Sequence, residues 1–214
     1  MSRLRGIALA LLLACAAACD GGTSGTGITT AQGNIVSISS VASGMAPSAS
    51  AAASASAGLA GIRVSVEGTS ASDDTDASGA FTVKGSFEGH LTLLFQRSAD
   101  GIDARLPMNL PSRGTLTFND VAIDTTMGVA KPAERLLDFE GIVQSVDCGV
   151  GVIAFVSDVG DTDAYLVDVA GSTLETQSGA AVSCAAVQVG QSAAISGTVE
   201  DDGSIGSAVV RFGG

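Results

Sequence analysis

Tryptophan is missing from this 214-residue chain, tyrosine and histidine occur once each, and aromatic residues make up only 4%. A ligand face of stacked rings, the kind that grips sugars or unpaired bases, is therefore hard to assemble. One histidine excludes a histidine-rich metal site and leaves a single imidazole for acid–base work. That residue, His90, precedes the apolar Leu91 row with no cysteine or carboxylate motif around it, and is expected to be an ordinary strand-end residue. Positive charge is also scarce: ten Lys and Arg stand against 22 Asp and Glu, a formal net charge of −12. Such a surface repels phosphate backbones and anionic headgroups, which argues against nucleic acid as a partner.

What is present points to strands. The chain has 28 Gly, many Ser and Thr, and short apolar runs rather than long helical stripes. Between Ala60 and Arg97, Ile62, Val64 and Val66 alternate with Arg63, Ser65 and Glu67, and Phe81 and Val83 alternate with Thr82 and Lys84. Leu91, Leu93 and Phe95 form a third row. Period-2 alternation is the mark of a strand with one buried face. Ile102, Ala104 and Leu106 continue it, Pro107 and Pro111 suggest an edge or a break, and Leu116, Phe118, Val121 and Ile123 read as a strand kinked at Asn119-Asp120. The expected fold class is all-β.

The amino terminus has another character. Arg3 and Arg5 precede an uncharged, mostly apolar run from Gly6 to Ala18, shorter than the ~20 residues of a membrane-spanning helix. This is the form of a secretory signal peptide. Its end, from Leu12 to Cys19, resembles a bacterial lipobox, in which small residues precede a cysteine that becomes lipidated. Cys19 is the expected lipidation site, because Asp20-Gly21-Gly22-Thr23-Ser24-Gly25 follows it as a tether. Cys15, behind Leu12-Leu13-Ala14, is the alternative. The resemblance implies an extracytoplasmic protein lipid-anchored to the bacterial cell membrane or outer membrane. The competing outcome is a cleaved signal peptide and a secreted chain.

The divisions expected from composition are a signal peptide at 1–18, a flexible tether at 19–32, a first module at 33–125, a linker at 126–138 and a second module at 139–214. Within the first module, residues 43–58 are low-complexity Ser and Ala and read as a loop.

Two resemblances name the modules. Leu59-Ala60-Gly61-Ile62-Arg63-Val64-Ser65-Val66, followed by Thr75-Asp76-Ala77-Ser78-Gly79-Ala80-Phe81-Thr82-Val83, resembles the carboxypeptidase regulatory-like domain. The resemblance implies a small, non-catalytic, transthyretin-like β-sandwich. Gly141-Ile142-Val143-Gln144-Ser145-Val146, with Val189-Gly190-Gln191 to Gly197 and Asp201-Asp202-Gly203-Ser204-Ile205, resembles an OB-like β-barrel family of unknown function found in bacterial lipoproteins. Oligonucleotide binding, one use of such barrels, is improbable where the segment has one Arg, no Lys and one Tyr.

Chemistry-bearing patterns are few. Asp74-Thr75-Asp76-Ala77-Ser78-Gly79 fits the first half of a calcium loop, with hard oxygens at alternate positions and a glycine for the turn. The twelfth position is Gly85 instead of a bidentate Glu, so Asp74, Asp76 and Ser78, with Asp73, are left as weak calcium contacts at most and the stretch is read as a hairpin turn. No cofactor is expected. Cys148 and Cys184, an isolated pair behind an export signal, read as a disulfide, with two free thiols as the alternative. With 22 acidic residues a glycosidase-like carboxylate pair has many candidates, and no feature singles one out. The leading expectation is a non-catalytic envelope protein in structural support or weak recognition of carbohydrate or protein. A secreted carbohydrate-binding module and a small carboxylate-dependent hydrolase are the alternatives.

Overall fold

Alternation along Ile102–Leu110 carries straight into burial: Ile102, Ala104, Leu106, Met108 and Leu110 point inward and the residues between them point out. The computed structural model describes residues 27–39, 59–159, 161 and 163–213. The expected signal peptide, both candidate lipidation cysteines, most of the tether and the loop at 43–58 lie outside the described residues. Among the described residues the fold is all-β, with fourteen strands, two short 3-10 turns and no α-helix. No helix among them is long and apolar enough to cross a membrane.

Eight strands form the first part: β1 (Thr29–Ser39), β2 (Arg63–Val66), β3 (Ser72–Asp74), β4 (Ala80–Gly85), β5 (Gly89–Arg97), β6 (Ile102–Leu110), β7 (Gly114–Asp124) and β8 (Val129–Lys131). They pair as two groups, β4-β1-β7 and β3-β2-β5-β6, joined through β8. Side chains fill the space between the groups, where Phe81 of β4 meets Phe95 of β5 edge-to-face at 5.6 Å. Pro107 is tolerated inside β6 because that strand is paired along its length only by β5. Its other edge meets β8 at Arg105 alone.

The kink in β7 is a bulge with a visible cause. Asp120 takes a left-handed φ of 52°, which moves the buried set from Leu116 and Phe118 to Val121 and Ile123. Asn34 of β1 secures it, accepting from the Asp120 amide and donating to the Asp120 carboxylate, each at 3.2 Å.

Two expectations are corrected here. The spacer predicted to run to residue 32 ends earlier, because β1 starts at Thr29, pairs with β4 and β7, and buries Thr29 and Ala31 completely. Small polar residues read as tether, yet a strand enclosed by two others needs no large side chain of its own. The acidic segment between β2 and β4, read as a turn, contains the short strand β3.

The second part comprises β9 (Glu134–Asp147), β10 (Val152–Val156), β11 (Tyr165–Asp168), β12 (Thr173–Thr176), β13 (Ser192–Val199) and β14 (Ile205–Phe212). Five of these close on themselves in the order β9-β10-β11-β14-β13-β9, the β11–β14 pair being parallel. A second bulge serves this barrel: Ser207, at φ 48°, shifts the buried set of β14 from Ile205 to Ala208, Val210 and Phe212.

β9 belongs to both parts. Residues Glu134 to Phe139 pair with β7 along one edge, and Ile142 to Asp147 continue along β10. The opposite edge, Leu136 to Ile142, pairs with β13. The segment 126–138, predicted as linker, therefore holds β8 and the start of β9. The buried side chains form one connected core from Ala31 to Phe212.

Candidate functional site

The acidic turn of the first module is built around its own backbone. Asp76 Oδ1 accepts from the amides of Ser78 and Ala80 at 2.8 and 3.0 Å and from the Ser78 hydroxyl at 2.6 Å. These bonds, the serine hydroxyl first, hold its carboxyl below the usual range. Asp73 Oδ2 accepts from the Thr82 amide at 2.7 Å. Buried Thr75 accepts from the Ile62 amide and donates to the Leu59 carbonyl. Asp76 and Ser78 thus bond to each other and close the turn, while Asp74 ends β3 as an exposed residue. Among the described residues no group of three His, Cys, Asp or Glu side chains is placed to hold a metal ion.

Cys148 and Cys184 form a disulfide across 36 residues, with Cα atoms 5.8 Å apart. It ties the β9–β10 turn to the 3-10 turn at Cys184–Ala186 that follows β12. His90 is exposed near the start of β5, in register with Asn109 of β6.

The main concavity lies where the two parts meet. It encloses about 830 Å³ between β5 and β6 on one side and β11 and the β13–β14 hairpin on the other. Leu91, Met108 and Leu137 contribute apolar wall, the half-buried Arg135 contributes a cation, and the His90 imidazole also lines it. Asn109 also lines it, and its Oδ1 is buried with no hydrogen-bond partner. The turn residues Asp202 and Ser204 form part of the rim, with Asp202 Oδ1 accepting from the Ser204 amide and hydroxyl at 2.9 and 2.6 Å.

Tyr165 sits at the junction. Its ring packs on Phe139 at 4.9 Å, and the residue is only 5% exposed. Burial first, then the negative charges of Asp163, Asp161 and Glu88, push its hydroxyl pKa far above the ordinary 10. The same three acids and Tyr165 line a smaller cavity of about 90 Å³ that shares Asp163 and Tyr165 with the main cleft. Beside it, Ser112 of the first part donates to Ser157 Oγ through both its amide and its hydroxyl, and Ser157 donates to Asp161 Oδ2 at 2.6 Å.

All seven Phe and the single Tyr are buried. Since the chain has no Trp, no aromatic ring is left for a ligand to stack on. The sequence signals led to the first acidic turn, the disulfide, His90 and the Asp201–Ile205 motif, and the tertiary structure brings His90 and that motif to the cleft. Arg135, Asn109, Asp163 and Tyr165 carry no motif, because their neighbours in space come from distant strands. No protein-family model, curated protein or solved structure matches the chain.

Proposed function

We propose that this chain is a non-catalytic cell-envelope protein, lipid-anchored at its N terminus, that gives structural support and recognises a protein partner. The observation carrying this reading is the junction cleft, whose two walls are held together by β9 as a strand of both parts. A cleft between separately hinged modules would change shape, whereas one spanned by a continuous strand is formed before a ligand arrives. The use of Asp76 and Asp202 as turn acceptors also supports it, since these carboxylates serve the fold.

The finer architecture belongs to the same proposal. Two packed strand groups with β1 and β7 parallel are compatible with a transthyretin-like sandwich. Numbering the barrel strands in chain order as one to five, the ring runs 1-2-3-5-4-1, which supports the OB-like reading of a five-stranded Greek-key barrel. Between the two recognition classes, burial of every aromatic ring favours protein over carbohydrate, because sugar faces are usually gripped by exposed rings.

Palmitate labelling tests the anchor. Label is expected in the wild type, lost in Cys19→Ser, kept in Cys15→Ser, and accompanied by precursor build-up under globomycin. Loss only in Cys15→Ser moves the anchor to that residue, and an unlabelled wild type leaves a secreted protein. Recognition is tested by a glycan array alongside crosslinking in envelope extracts from a photoreactive residue at the exposed cleft position His90. Array binding with no crosslink would restore the carbohydrate reading.

A further inference from the structure

The small cavity beside Tyr165 holds negative charge that the fold leaves unanswered. Glu88 comes from the β4–β5 turn, and Asp161 and Asp163 from the β10–β11 connection. No Lys or Arg lines the cavity, and the ion pairs of the described residues join Arg97 to Asp100, Arg105 to Glu67 and Arg211 to Glu175. His90 and Arg135 line the main cleft and not this cavity. Asp161 is already engaged by Ser157 and by the Asp158 amide. Asp163 is not: its Oδ2 stands where a methyl on Gly89 would approach it at 3.5 Å, so it faces the first part across the junction.

Tyr165 supplies an independent sign of a ligand. The residue is 5% exposed, yet its hydroxyl has no hydrogen-bond partner among the described residues. The hydroxyl atom itself is not sealed in by protein and opens on the cavity that the acids line.

We propose that this cavity takes a primary ammonium group, carried by a lysine in a peptide segment that lies along the adjoining cleft. An ammonium offers three donors and no acceptor, which matches two carboxylates and a phenolic oxygen. At about 90 Å³ the cavity has room for the headgroup with a water or two and none for a sugar ring. Leu91, Met108 and Leu137 in the cleft suit the aliphatic stem of a lysine. The chain's net charge of −12 draws basic segments towards it. A chelated metal fits less well, since no three ligand side chains converge on a point among the described residues.

The proposal rests on the recognition reading, and its test separates the two. The purified chain is titrated with the peptide Ac-Ala-Lys-Ala-amide and with its Nε-acetylated form, and amide NMR shifts are followed. Saturable shifts at Gly89, Asp163 and Tyr165 are expected with the free lysine only, weakened about tenfold by Asp163→Asn. Tyr165→Phe is expected to weaken binding several-fold while leaving thermal stability unchanged, because the hydroxyl has no internal bond to lose. Equal response to both peptides, no response at high millimolar concentration, or displacement of the lysine peptide by calcium but not by butylammonium would overturn it. A partner that crosslinks at His90 while these three residues stay silent would leave the recognition reading standing and remove the ammonium assignment.

Discussion

Asp76 and Asp202 do one job in two unrelated hairpins, each closing a turn through a serine two residues on. Both carboxyls are held below the ordinary value of 3.8, chiefly by that serine hydroxyl. A depressed folded pKa stabilises the fold above the unfolded value, and the gain disappears as pH falls through the depressed one. The melting difference between wild type and Asp76→Asn, which keeps an acceptor oxygen, is expected to be constant from neutral pH to about pH 4 and to shrink below it. A difference unchanged at about pH 2 would assign it to shape instead of charge. Gly79 in the same turn sits at φ +83°, and a β-carbon there would lie 2.3 Å from the Ile35 carbonyl oxygen. Gly79→Ala is expected to cost about 2–3 kcal/mol in denaturant unfolding.

Strands show where local pattern is enough and where it fails. The apolar parity shift from Phe118 to Val121 is legible as a kink, and Asp120 makes it. β3 and β12 escaped notice because Ser72–Asp74 and Thr173–Thr176 carry little apolar alternation, and each is a strand only through its neighbours. β12 has β14 alone as its strand partner, and the disulfide pins the chain that follows it. Replacing Cys148 and Cys184 together by Ser is expected to cost ~3–4 kcal/mol, by chain entropy for the 36-residue separation. Reduction of the wild type in denaturant should add two hydrogens to the intact mass, and two thiols already free before reduction would remove the bridge.

At the scale of the molecule, sharing β9 makes the two parts one hydrogen-bonded body. Phe139 lies where they meet, 4% exposed, with its ring on Tyr165 of the barrel and its β-carbon against Gly114 of β7. Gly114, at φ +150°, leaves only 2.6 Å between a would-be β-carbon and the Asp138 carbonyl oxygen, so the crossing accepts no side chain. Phe139→Ala is expected to cost about 3–5 kcal/mol. It should lower the stability of both parts together, with coincident transitions from a reporter in each. Two separated transitions in the wild type would show that the parts fold independently.

The strands with apolar alternation, both hairpin turns and the expectation of a Cys148–Cys184 bridge were legible in sequence alone, because alternation, turn chemistry and an isolated pair of thiols are local or compositional facts. Scarcity of cations and of aromatic rings likewise narrowed the partners to be expected before any fold was known. Tertiary structure decided the rest. Thr29 and Ala31 became strand because two others enclose them, and Glu134 to Asp138 became shared strand because β7 and β13 flank it. The small cavity was invisible for the same reason: Glu88 and Asp163 come to line it only when the barrel closes against the β4–β5 turn, and no local pattern records a juxtaposition across such a distance.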